Sequence, residues 1–138
     1  MFDGELVSLH GAELNDLDAI IEHWNDLKLR SFLYHILPNS REEEKEWIRS
    51  TWQSRKEGTA FTFTIENKQT KKFFGICCLT GLNYINRKAK LGIAIHAEKN
   101  WGKGYGTDAM KVLLKFGFDY LNLHRIELRV LCTKYSSD

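Results

Sequence analysis

The sequence predicts a mixed α/β domain built on one sheet, and three observations carry that prediction. "TAFTFTIEN" (59–67) strictly alternates, with Phe61, Phe63 and Ile65 on one side, as a half-buried strand does. "NDLDAIIEHWND" (15–26) spaces Leu17, Ile20, Ile21 and Trp24 as one face of a helix. The apolar run Leu91 to Ile95 is followed by Gly102, Gly104 and Gly106 and then by a helix-like pattern, so a strand, a loop and a helix meet there.

The elements follow in order. "ELVSLH" (5–10) alternates as a short strand, and the first helix follows with Asn15 or Asp16 as its cap. "KLRSFLYHIL" (28–37) is apolar enough for a second helical piece, ended by Pro38. Ser40 followed three residues later by Glu43 is a capping-box pattern. It opens a third helix with Trp47, Ile48 and Trp52 on one face, stopping at Gly58. Strands at 59–67 and 73–83 form a hairpin across the polar turn "NKQTKK", and 89–97 is a third strand. "TDAMKVLLKFGFDYLN" (107–122) is amphipathic, and "HRIELRVL" (124–131) closes the set as a strand. An antiparallel meander joined to one βαβ crossover requires a mixed sheet.

The bulk numbers narrow the function classes. The chain has 138 residues, which fits one domain over 1–138, and 43% of them are hydrophobic. A formal net charge of +2 is too weak a bias for a nucleic-acid partner, and no concentrated basic run is present. The run "REEEKE" (41–46) reads as a solvated helix face, with a landing site for a cationic substrate as the alternative. No apolar run approaches the ~18 residues of a membrane span. "MFDGELVSLHG" lacks the basic region and apolar core of a signal peptide. Cys77, Cys78 and Cys132 are odd in number, the first two alternate across a strand, and no C-x-x-C occurs, so no metal site is expected. Unpaired thiols fit a reducing cytoplasm.

The glycine cluster carries the chemistry. "WGKGYGT" lacks the order of a phosphate-binding G-x-x-x-x-G-K-[ST] loop, because Lys103 precedes Gly104 with no Ser or Thr directly after it. "GYGTDA" (104–109) matches G-x-G-x-x-A, but it follows a meander rather than opening a parallel sheet, which disfavours a dinucleotide-binding protein. General physics remains: glycines let backbone N–H groups converge on an anion, and a helix N-terminus adds its dipole. A pyrophosphate suits such a site.

"WGKGYGTDAM" (101–110) resembles the acyl-CoA loop of the GNAT N-acyltransferase superfamily, [QR]-x-x-G-x-[GA], with Gly104 and Gly106 at its glycines and Trp101 in place of Gln/Arg. "LGIAIHAEKNWGKGYGTDA", "LHRIELRVL" and "LNDLDAIIEHWND" are similar to the strands, loop and opening helix of the branch containing ribosomal-protein N-terminal and spermidine acetyltransferases. The resemblance implies a mixed, mostly antiparallel sheet with helices on both faces. It implies acetyl-CoA as cosubstrate, held by backbone groups of Trp101, Gly102, Lys103, Gly104, Tyr105, Gly106 and Thr107 at the pyrophosphate. Ile93, Ala94, Ile95 and His96 would serve the pantetheine and thioester. Position near the thioester nominates His96 and Glu98 as catalytic bases. Asn83 and Tyr84, at the end of the preceding strand, are candidates for the acceptor cleft.

The family's later helix with its Asn and Tyr, and the last two strands, have no counterpart in "VLCTKYSSD" (130–138). Lys134 stands where that Asn would be and Tyr135 comes too early, so the domain reads as shortened at its C-terminus, with an open strand edge that predicts a homodimer. The implied activity is acetyl transfer from acetyl-CoA to a protein N-terminal amine, a small amine or a polyamine. A coenzyme A-binding relative with weak or no turnover is the alternative, ahead of a dinucleotide-binding protein.

Overall fold

The structure, a computed structural model, describes residues 2–24, 40–95 and 102–128. The elements are β1 (Phe2–Asp3), β2 (Val7–Gly11), a 3-10 turn (Leu14–Asp16), α1 (Leu17–Trp24) and α2 (Arg41–Glu57). Then come β3 (Phe61–Asn67), β4 (Phe73–Asn83), β5 (Lys88–Ile95), α3 (Tyr105–Lys115), a π-helical turn (Phe116–Tyr120) and β6 (Arg125–Leu128). The helical piece expected at 28–37 lies outside the described residues.

The six strands form one sheet in chain order, β1 to β6. Every neighbouring pair is antiparallel except β5 and β6, which run parallel because α3 carries the chain over between them. The mixed α/β fold expected from the sequence is therefore present. Helices lie on both faces. Val7, Leu9, Ile65, Leu79 and Leu91 pack beneath Ala109 and Leu113 of α3. On the opposite face Ala12 and Ile76 pack with Leu17 and Ile20 of α1 and Ile48 of α2.

Local chemistry sets the boundaries. Ser40 Oγ accepts a hydrogen bond from the Glu43 amide at 3.1 Å, and Glu43 Oε1 accepts one from the Ser40 amide at 3.0 Å. The capping box therefore starts α2 where expected, and hydrogen bonds from the Ser40 amide and then the Ser40 hydroxyl hold the Glu43 carboxyl below the usual carboxylate range. At the other end Gly58 closes the helix in the left-handed region, with φ 74°. The first strand differs from expectation: Glu5 and Leu6 belong to the turn of a β1–β2 hairpin, so β2 begins at Val7. Between β3 and β4, Ile65 faces Gly75 and Glu66 faces Phe73, which leaves Phe74 as the extra residue of a β-bulge.

Candidate functional site

The glycine-rich loop opens α3 without a side-chain cap. Gly104 is the N-cap, with φ 84° and ψ 0°, a conformation that costs glycine nothing and other residues about 1–2 kcal/mol. The first intrahelical bond runs from the Asp108 amide to the Gly104 carbonyl, 3.0 Å. The amides of Tyr105, Gly106 and Thr107 thus precede the hydrogen-bonded helix and point out of its positive end. Gly102, Lys103, Gly104 and Thr107 are exposed. This is the geometry of an anion-binding helix terminus.

Gly106 differs from Gly104. A Cβ added there would sit 3.6 Å from Ile95 Cγ1 and 3.8 Å from Ile93 Cδ1, ordinary contact distances. Space for a methyl group fits the Gly-or-Ala position of the loop pattern. The Tyr105 side chain is engaged away from the exposed loop surface. Its ring stacks on Phe74, centroids 4.0 Å apart and planes 19° apart, which fixes the helix start against the bulge of β4.

Asp108, which sequence reading passed over, anchors the same helix end. Its Oδ2 accepts from the amides of Leu6 (2.8 Å) and Val7 (2.9 Å), and its Oδ1 from that of Glu5 (3.1 Å). Burial pushes its carboxyl up, but the amides of Leu6, Glu5 and Val7 and the charge of Lys111 outweigh burial and hold it below the usual range. The one acidic side chain in the first turn of α3 is therefore spent on the β1–β2 hairpin and does not occupy the helix N-terminus.

Beside the loop, β5 offers a strip of backbone. Lys88 to Leu91 pair with Arg125 to Leu128 of β6. Gly92, Ile93, Ala94 and Ile95 pair with β4 and are half-buried, and among the described residues β6 does not extend alongside them. The structure thus brings Ile93 and Ile95 directly under Gly106. It places Asn83 and Tyr84 elsewhere, at the β4–β5 turn, the opposite end of β5 from the loop. Asn83 Oδ1 accepts from the Asn86 amide at 2.9 Å, and the Tyr84 hydroxyl donates to the Gly58 carbonyl at 2.7 Å. His96, Glu98 and Trp101 lie outside the described residues, as do Cys132, Lys134 and Tyr135. Among the described residues no group of His, Cys, Asp and Glu could hold a metal ion.

A model of the acetyltransferase (GNAT) domain matches residues 7–137. The chain belongs to the GNAT acetyltransferase family. Members of this family use acetyl-CoA to acetylate amines. This GNAT chain is 30% identical over 127 residues to the uncharacterized N-acetyltransferase p20 of Bacillus licheniformis, covering 91% of itself and 70% of that protein. It is 26% identical over 121 residues to the uncharacterized protein YkkB of Bacillus subtilis, covering 86% of itself and 62% of that relative, which is less than two thirds. A spermidine N-acetyltransferase from Vibrio cholerae, solved in complex with CoA and spermine, superposes with a TM-score of 0.75 at 29% identity, over 88% of this chain and 69% of that one.

Proposed function

We propose that residues 1–138 act as one GNAT domain that moves the acetyl group of acetyl-CoA to a primary amine, either a protein N-terminal α-amine or a small amine or polyamine. The observation that carries this reading is the exposed, uncapped N-terminus of α3 behind Gly104, set beside the half-buried strip Ile93–Ile95. The amides of residues 101 to 107 would hold the pyrophosphate there. The backbone of Ile93, Ala94, Ile95 and His96 would position the pantetheine and the thioester carbonyl. Bound acetyl-CoA would supply a thioester carbonyl for a neutral amine: the C–N bond forms, the C–S bond breaks, and coenzyme A leaves as the thiol while the amine gives up a proton.

The chain's own part is positioning, water exclusion and proton removal. His96 and Glu98 follow directly on the C-terminal end of β5, and either carries the role of base for the incoming ammonium. Asn83 and Tyr84 belong to the far end of the acceptor face in this proposal. The buried thiol of Cys77, which forms no disulfide, supports a cytoplasmic setting. β6 ends the sheet among the described residues, and the half-exposed Leu128 on it supports pairing with a second copy.

Release of free thiol from acetyl-CoA tests the function. With a panel of peptide and small amines, release that depends on both protein and amine is expected. Coenzyme A binding without release from any amine would identify a binding relative instead.

A further inference from the structure

The sheet face opposite α3 carries a charge pattern that bears on the acceptor. In β5, Ala89 and Leu91 are buried toward α3, whereas Lys88 and Lys90 are exposed on the other face. Strand alternation places Gly92 and Ala94 on that same second face. The register sets Thr80 beside Lys90 and Cys78 beside Gly92 on β4, with Arg125 beside Lys88 and Glu127 beside Lys90 on β6. This face therefore has a floor of small residues next to the proposed thioester position and a cationic flank further along it.

Three cations and one carboxylate make up that flank. Glu127 is already bridged to Arg125 at 3.2 Å. Among the described residues, no carboxylate lies within salt-bridge distance of Lys88 or Lys90. In the acidic run of α2, two of the carboxylates are engaged locally. Glu42 pairs with Lys45 at 3.2 Å, and Glu43 is held in the capping box. At about 3.4 Å per residue, Lys90 stands about 14 Å along the strand from Ala94. An extended peptide covers that distance within its first few residues.

Resting on the acetyltransferase reading above, we propose that this face selects an amine bearing carboxylates within its first few residues, an acidic peptide N-terminus, and disfavours polyamines. Lys88 and Lys90 are the specificity-determining residues. They attract the acceptor's carboxylates and repel a second or third ammonium, and the effect weakens as salt shortens the Debye length.

The test compares kcat/KM for the peptide Ser-Asp-Glu-Ala-Ala-Phe, its Ser-Lys-Lys-Ala-Ala-Phe counterpart and spermidine, with acetyl-CoA binding measured in parallel. The acidic peptide is expected to lead by about tenfold or more at low salt, with the lead shrinking at high salt. Lys88→Glu combined with Lys90→Glu is expected to reverse the order while acetyl-CoA affinity and far-UV circular dichroism stay unchanged. Preference for spermidine or the basic peptide by the unaltered chain, or an unchanged order in the double variant, would overturn the inference. So would acetyl-CoA binding with no turnover of any of the three. Absence of acetyl-CoA binding would instead overturn the reading of the site on which the inference rests.

Discussion

Oδ2 of Asp108 accepts a 2.9 Å hydrogen bond from the amide of Val7, 101 positions earlier in the chain. This contact, with those to Glu5 and Leu6, ties the start of α3 to the first hairpin of the sheet. The helix end that carries the glycine loop is thereby held at a fixed height above β5.

Asp108→Ala leaves three backbone donors without their acceptor and is expected to cost about 2–3 kcal/mol. A lower urea midpoint at unchanged slope would show it. The sign with pH follows from the lowered folded-state pKa. The contribution is fully present above the unfolded carboxyl's pKa and is lost as pH falls through the folded value. Asp108→Asn should therefore flatten the acid limb of the stability profile. An acid limb identical to that of the unaltered chain would remove Asp108 as its source.

The glycines of the loop are expected to separate by role. Gly104→Val places a β-branched residue at φ 84°, at the backbone proposed to hold the pyrophosphate. Acetyl-CoA affinity should fall about tenfold or more, with far-UV circular dichroism nearly unchanged. Gly106→Ala adds a methyl group 3.6 Å from Ile95 and should leave both affinity and stability nearly intact. Unchanged affinity in Gly104→Val would contradict the loop assignment.

Activity should rise with pH through the ionisation of the acceptor amine, because only the neutral amine attacks. His96→Ala and Glu98→Ala test the two bases through the pH–rate profile. If neither shifts the profile or the rate, proton removal belongs to another group or to water.

Much of this arrangement is legible in the sequence because its signals are local. The Ser40–Glu43 box, the alternation of Phe61, Phe63 and Ile65, and the strand–glycine–helix order each announce their element within a few residues. The clamp by Asp108 is not legible in this way. Its partners are backbone amides, which carry no side-chain signature, and they lie at the other end of the chain. The Phe74 bulge and the Tyr105 stack are hidden for a similar reason. "FFGICC" alternates as a plain strand, and only the packing of α3 above it decides which Phe turns inward. The π-helical turn, with the Leu121 amide bonded to the Phe116 carbonyl at 3.1 Å, continues a helical pattern that period alone cannot distinguish from α.

Among the described residues no strand pairs with the outer side of β6, and that side bears on assembly. Light scattering on dilute protein is expected to report a dimer or larger species. A stable, active monomer would show that the edge is covered within one chain.

Ligand-induced thermal stabilisation most directly tests whether the N-terminus of α3 is the acetyl-CoA site proposed above. A ligand that binds only the folded state at about 100 times its Kd adds about 2.7 kcal/mol, enough to raise Tm by several degrees. Acetyl-CoA is expected to produce that rise, and NAD at the same concentration to produce none. A rise with NAD and no change with acetyl-CoA would contradict the account.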